Sequence, residues 1–176
     1  MLTEPIRTPR MDLLPLRADH ATELAPALSD PALHTFIGGS PLSPEALRTR
    51  YERLVAGSPD PSVTWCNWVL RLRTDSRLIG TVQATISETT AEIAWVVGTR
   101  WQGRGYAREA AQGLVAWLRQ RATVRSADTA APPVRTVVAH IHPDHLASAA
   151  VARAAGLLPT DEEQDGETRW RRVLRP

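Results

Sequence analysis

Between Val63 and Arg121 the chain makes one sustained commitment. Three strand-length runs with short connections are followed by a glycine-bearing loop that opens straight into a long helical stripe. Trp65 to Leu72 and Arg77 to Ile86 are joined by Thr74-Asp75-Ser76, a hairpin-length turn, and Ala91 to Gly98 follows at once. Short connections between consecutive strands require an antiparallel meander, because parallel neighbours need a crossover of a dozen residues or more. From Arg104 to Arg121 the apolar positions Ala107, Ala110, Ala111, Leu114, Val115 and Leu118 recur at helical spacing.

The flanks supply the remaining elements. Met11 to Arg17, interrupted by Pro15, suits an edge strand. Asp19 opens a helix with Leu24 and Leu28 on one face, ended by Ser29-Asp30-Pro31. After the Gly38–Pro41 loop, Ser43-Pro44-Glu45 combines an N-cap, a proline at the first helical position and an early carboxylate. That second helix, with Leu47, Tyr51 and Leu54 on one stripe, runs to about Gly57. Ser58 to Ser62 reads as a loop, and Ala122 to Pro133 as a mobile one. Val134 to His142 is a strand, Asp144 to Ala155 a helix closed by Gly156 at its C′ position, and Glu167 to Leu174 a final strand.

A length of 176 residues favours one domain, 1–176, at roughly 100 to 200 residues per domain. With 43% apolar and 23% charged residues, the composition excludes a disordered chain. No apolar run approaches the ~20 residues of a membrane span, and the first residues lack a secretory apolar core, so the expected location is cytoplasmic, without a membrane partner. One cysteine, Cys66, permits neither an internal disulfide nor a thiolate metal site. All 21 basic residues are arginines and the net charge is only +2; they are scattered, which argues against a nucleic-acid partner.

The informative junction is Val97-Gly98-Thr99-Arg100-Trp101-Gln102-Gly103-Arg104-Gly105-Tyr106-Ala107. A strand ends, and glycines 103 and 105 lead into a helix, so unpaired N–H groups point one way at the positive end of the helix dipole. Glycine, and small Ala107 in the first turn, remove side-chain bulk that would hold a phosphate away, and Arg104 adds charge. The bland alternative is a tight turn before a surface helix. No Gly-Lys-Ser/Thr follows and no G-x-G-x-x-G is present, so this is neither a P-loop nor a dinucleotide fingerprint.

Gln102-x-x-Gly105-x-Ala107 resembles the pyrophosphate motif (Gln or Arg, x, x, Gly, x, Gly or Ala) of the GNAT acetyltransferases. The likeness runs roughly from Thr8 to Leu158. Thr8-x-Arg10-Met11-x-Leu13, Leu28-Ser29-Asp30-Pro31, Leu78-Ile79-Gly80-Thr81 and Ala91-Glu92-Ile93-Ala94-Trp95 resemble the branch that includes the ribosomal-protein N-terminal (alanine) acetyltransferases. Trp101-Gln102-Gly103-Arg104-Gly105-Tyr106-Ala107-x-Glu109-Ala110 is its most specific match, and His145-x-x-Ser148 with Ala155-Gly156-Leu157 is similar to its later helix.

The resemblance implies an α/β (α+β) fold. Its sheet is mixed, mostly antiparallel and split, of about seven strands flanked by about four helices, with acetyl-CoA entering between the fourth and fifth strands. It implies an acetyl-CoA-dependent N-acetyltransferase that acetylates a primary amine, on a small molecule or a protein N-terminus, by direct transfer in a ternary complex. The alternative is a catalytically silent acyl-CoA-binding module. Cofactor contacts would come from the backbone of Trp95, Val96 and Val97, from Gln102, Gly103, Arg104, Gly105, Tyr106 and Ala107, and from His145 and Ser148.

The candidate catalytic residues are Glu92 and Ser148. Glu92 shares a strand face with Ala94 and Val96 and reads as an inward carboxylate, for which the resemblance implies the role of general base, directly or through water; the alternative is a solvated strand-end group. Ser148 would face the cleft and assist the thiolate, or else pack in the first helical turn. The tyrosine that many relatives use as acid is replaced by Ala152. His140-x-His142-x-x-His145 has zinc-like spacing, but without a carboxylate or cysteine pattern no metal is expected, and a proton-transfer histidine or a structural one remains. The acceptor pocket is expected from the first two helices, the loop Phe36 to Pro44 and the final hairpin. A second copy of the chain is admitted as a partner.

Overall fold

The computed structural model describes residues 3–123 and 133–174. In chain order the elements are β1 (Ile6–Arg7), β2 (Met11–Pro15), α1 (Ala21–Ala27), α2 (His34–Ile37), α3 (Pro44–Ala56), β3 (Val63–Leu72), β4 (Leu78–Ser87), β5 (Thr90–Val97), α4 (Tyr106–Thr123), β6 (Thr136–Ile141), α5 (Leu146–Ala154), β7 (Leu158–Gln164) and β8 (Glu167–Val173). Most of the loop expected over Ala122 to Pro133 lies outside the described residues.

One eight-stranded sheet has the order β1-β2-β3-β4-β5-β6-β8-β7, antiparallel throughout except where β5 meets β6. Eight strands stand where the resemblance implied about seven and the sequence itself placed six. The two not placed are the two-residue β1 and the hydrophilic β7, which is held by pairing with β8. The run at Met11 is therefore not an edge strand: β2 lies between β1 and β3. Pro15 is still tolerated, because β1 reaches only to Leu13 and leaves the far side of Pro15 unpaired.

Local signals place the helices. Ser43 Oγ accepts the Ala46 N–H at 3.1 Å, and Gly57, at φ +91°, ends α3. Gly156, at φ +82°, ends α5. Strand alternation sends two faces to two cores. On one, Cys66, Trp68, Val82, Ala84 and Ile93 pack beneath α4 and α5, with Trp68 edge-on to Trp117 at 5.0 Å. On the other, Val69 and Leu78 pack against Leu24, Leu47 and Tyr51 of α1 and α3. Among the described residues no helix is long and apolar enough to cross a membrane.

Candidate active site

The site begins where the sheet comes apart. β5 and β6 pair over only three rungs, Thr90 to Glu92 against Thr136 to Val138, and beyond Glu92 the strands diverge. With β1 counted, this gap lies between the fifth and sixth strands. The Gly98 N–H donates to the Ile79 carbonyl at 2.8 Å, and the β4–β5 register is unbroken. Two-residue alternation then turns the main-chain groups of Val96 toward Thr81 and those of Trp95 and Val97 into the gap.

The loop after β5 is tied down at both ends. Gln102 Nε2 donates to the Val97 carbonyl at 2.9 Å, so this side chain folds the loop back onto the strand. Gly103 and Gly105 take φ of +73° and +79°, left-handed values that favour glycine. The first α4 bond runs from the Glu109 N–H to the Gly105 carbonyl, which leaves the N–H groups of Tyr106, Ala107 and Arg108 without a helical acceptor. From the N-terminal side Arg10 braces this corner. Its Nε lies 2.7 Å from Glu109 Oε2, its Nη1 donates to the Arg104 carbonyl at 2.9 Å, and its guanidinium covers the Tyr106 ring at 4.5 Å. Thr8 Oγ1 donates to Glu109 Oε1 at 2.6 Å. Burial alone would raise the Glu109 carboxyl, but hydrogen bonds from Thr8 and Arg10 outweigh it and hold the group below its ordinary value.

A groove of about 330 Å³ follows this loop, walled by Trp95, Val97, Gly103, Tyr106, His145 and Ser148. All eleven residues assigned from sequence to the cofactor fall on or beside it. Arg104 alone does not line it; it borders a neighbouring hollow with Arg7 and Arg108. His145 stacks on Phe36 at 4.3 Å, and burial, then the His142 charge, keep its imidazole pKa low. Ser148 and Val151 reach the groove, whereas Ala152 is fully buried in the core. A ring at position 152 would therefore enter the core and not the cleft.

A second cavity, about 520 Å³, opens on the opposite side of β5 under α1, α2 and α3. The two share Leu33, Ile37, Trp95 and Val96. Its floor is β3, β4 and β5; the final hairpin, expected to contribute, does not line it.

Glu92 lies two residues before Ala94 on β5, in register with Thr85 of β4 and Val138 of β6, and lines neither cavity. Its side chain is 52% exposed, so the inward carboxylate expected from sequence is half exposed instead, nearer to the solvated alternative. Strand alternation does put it on the face of Ala94 and Val96, but that face is an open cavity floor here and not a core. Its Oε1 accepts from His140 Nδ1 at 2.9 Å. The three histidines do not share one partner: His140 meets Glu92, His142 Nδ1 accepts from the Asp144 N–H at 3.1 Å, and His145 stacks on Phe36, whose ring His142 also meets at 5.4 Å.

Sequence reasoning missed the brace by Arg10 and the pairing of His140 with Glu92. Arg10 and Glu109 are 99 positions apart and fall in two separate motif blocks, with nothing in the sequence to join them.

A model of the acetyltransferase (GNAT) domain matches residues 10–158. No curated protein sequence matches the chain closely enough to count as a relative. Among solved structures, a GNAT-family acetyltransferase from Bacillus anthracis aligns with a TM-score of 0.74 at 17% identity, over 96% of this chain and 98% of its own. An acetyltransferase from Salmonella typhimurium, described as modifying the N-terminal serine of the ribosomal protein L7/L12, aligns with a TM-score of 0.76 at 17% identity, over 98% and 100%. The microcin C7 self-immunity acetyltransferase, solved with acetyl-CoA and AMP, gives 0.67 at 16%, over 94% and 93%. At such identities the likeness is one of fold. The domain match covers most of the chain and coincides with the split sheet, the glycine loop and the helix it opens: this chain belongs to the GNAT acetyltransferase family.

Proposed function

We propose that this acetyl-CoA-dependent N-acetyltransferase transfers the acetyl group directly, in a ternary complex, with Glu92 receiving the proton of the amine. The observation that carries this reading is the meeting of two cavities at Leu33, Ile37, Trp95 and Val96, with Glu92 just outside the lining, two residues along β5 from Ala94 and on the same face. One cavity suits the cosubstrate and the other an acceptor.

The residues fit the cosubstrate on their own geometry. Gly103 and Gly105 leave no side chain over the loop, three N–H groups at the start of α4 await an acceptor, and Arg108 adds charge beside them. The hydrogen bonds expected of Trp95, Val96 and Val97 fall to Trp95 and Val97, whose main-chain groups face the gap; Val96 contributes its side chain to both cavity walls. Ser148 and His145 border the same groove.

The chemistry then assigns itself. A neutral amine attacks the thioester carbonyl, the oxyanion takes hydrogen bonds from main-chain N–H groups at the gap, the C–S bond breaks, and the sulfur leaves as thiolate to be protonated by Ser148 or water. The carboxylate of Glu92 holds the departing amine proton, and His140 fixes the carboxylate. Buried Cys66 lies on the other face of the sheet, which speaks against an acyl-cysteine intermediate. A carboxylate beside the junction disfavours the silent-module alternative. The reading treats residues 1–176 as one cytoplasmic domain, and the likeness to ribosomal-protein N-terminal acetyltransferases keeps protein N-termini among its acceptors.

The test is thiol release from acetyl-CoA across amino acids, amino sugars, polyamines and peptide N-termini. Transfer to at least one amine, lost in Glu92→Gln, is the expected result. Binding of acetyl-CoA without transfer to any amine overturns the reading.

A further inference from the structure

The helix that roofs the second cavity carries a residue its position does not explain. Leu47, Arg50, Tyr51 and Leu54 recur at i, i+3, i+4 and i+7, the spacing of a core-facing stripe on α3. Three of the four are apolar or aromatic and pack against the sheet. Arg50 occupies the fourth place and lines the cavity with the others. Arg50 is itself exposed, at the rim of the stripe, so its guanidinium is open to a ligand entering the cavity. No ion pair or hydrogen bond holds its guanidinium among the described residues, although Arg48, on the outer face of the same helix, is paired with Glu52 at 3.2 Å. Burial pushes the Tyr51 phenol up to about 12, and the charge of Arg50 pulls the other way.

The rest of the lining is selective as well. Among the described residues no carboxylate faces this cavity. Its floor offers only uncharged polar groups, Asn67, Thr81 and Gln83, and its mouth holds Ile37 and Leu42, which are 53% and 38% exposed without an apolar neighbour to cover them. Asn67 and Gln83 are in register on adjacent strands, with Ala94 next across, so they form a row one step from Glu92. A polyamine or an aminoglycoside would bring several positive charges to a site with no fixed negative ones and one fixed positive one. An acceptor with a single amine, an apolar body and a negative group meets every feature of the lining.

We propose that the acceptor is an apolar amino acid, whose carboxylate is taken by the guanidinium of Arg50 and whose side chain lies against Leu28, Leu33, Leu47 and Leu54. The planar fork of arginine matches a carboxylate with two parallel hydrogen bonds. The cavity, about 520 Å³, falls in the range of small-molecule sites. The inference rests on the acetyltransfer reading above and narrows it to one acceptor class.

The experiment compares kcat/KM for leucine and phenylalanine with kcat/KM for their primary amides, with spermidine, glucosamine and a leucine-initiated peptide amide in the same panel. The amides retain the amine and the side chain and lose only the negative charge. Their amines are the less basic, so they start with the larger neutral fraction, and a preference for the acids has to come from the protein. The acids are expected to exceed their amides by about 10-fold or more. Arg50→Gln brings that ratio close to one through loss of acid turnover, with the melting temperature as the check on folding; Arg50→Lys retains part of the preference. Equal or better turnover of an amide, spermidine, glucosamine or the peptide by the unaltered protein overturns the acceptor class and leaves acetyl transfer standing. Acetyl-CoA binding with no transfer to any member overturns both.

Discussion

His140 Nδ1 donates a hydrogen bond to Glu92 Oε1 at 2.9 Å, across the line where the two halves of the sheet part. The histidine ring is nearly enclosed, at 13% exposure, while the carboxylate is half exposed, at 52%. A donor fixed on one oxygen leaves the other free to meet an amine proton. Glu92→Gln keeps the volume and removes the proton acceptor, so kcat is expected to fall by ~10²- to 10⁴-fold with acetyl-CoA affinity unchanged. His140→Ala should cost less, and the double variant little more than Glu92→Gln alone, because the histidine acts through the carboxylate. Additive losses in that cycle would separate the two residues.

Gly105 has φ +79°, and a Cβ there would lie 3.4 Å from Arg10 Nη2. A β-branched residue cannot hold that backbone without strain, and relaxing it turns the N–H groups at the start of α4 away from a common focus. Gly105→Val should weaken acetyl-CoA binding by at least ~10-fold, about 1.4 kcal/mol. Titration calorimetry on both proteins reads this directly, and an unchanged affinity would remove the loop from the cosubstrate site.

Neighbouring positions on α5 should behave in opposite ways. Ser148 lines the groove, so Ser148→Ala is expected to lower kcat by about 10-fold and leave the melting temperature in place. Ala152 is fully buried, so Ala152→Tyr overfills the core and should destabilise the protein by about 1 to 3 kcal/mol. A melting scan with a rate measurement distinguishes them. A stable, active Ala152→Tyr would show that this side of α5 has room to spare.

Acid should weaken the corner held by Glu109. The folded protein keeps this carboxyl below its ordinary value, so as pH falls the unfolded chain takes up the proton before the folded one does. The stability it contributes is complete above about pH 5 and drains away as pH drops through the carboxylate range. Glu109→Gln should be less stable at neutral pH and show a flatter melting-temperature curve between about pH 5 and pH 2. Parallel curves for the two proteins would contradict this assignment.

Some of these residues could be read in one dimension and some could not. Ser43, Pro44, Gly57 and Gly156 declare helix ends because capping is settled within a few neighbours. The glycine loop is equally local. β7 escaped notice because Leu158–Gln164 is exposed almost throughout, with no alternation to betray it, and exists by virtue of its partner β8. The face occupied by Glu92 followed from counting along β5, but whether that face met a core or a cavity depended on how α1 and α3 sit over it. The pairing with His140 needed a parallel register that no local signal carries. Arg50 was passed over because the stripe was counted by its apolar members alone.

The brace between Arg10 and Glu109 also sets an order of events in time. Its partners are separated by 99 positions, so the contact has to wait until the β2 turn, the whole meander and the first turn of α4 are available together. During synthesis the N-terminal strands and α3 can settle long before Glu109 has left the ribosome, whereas the corner that faces the cosubstrate stays slack until this closure. Readiness to bind should therefore be among the last properties the folding chain acquires, and among the first it gives up when the molecule begins to open.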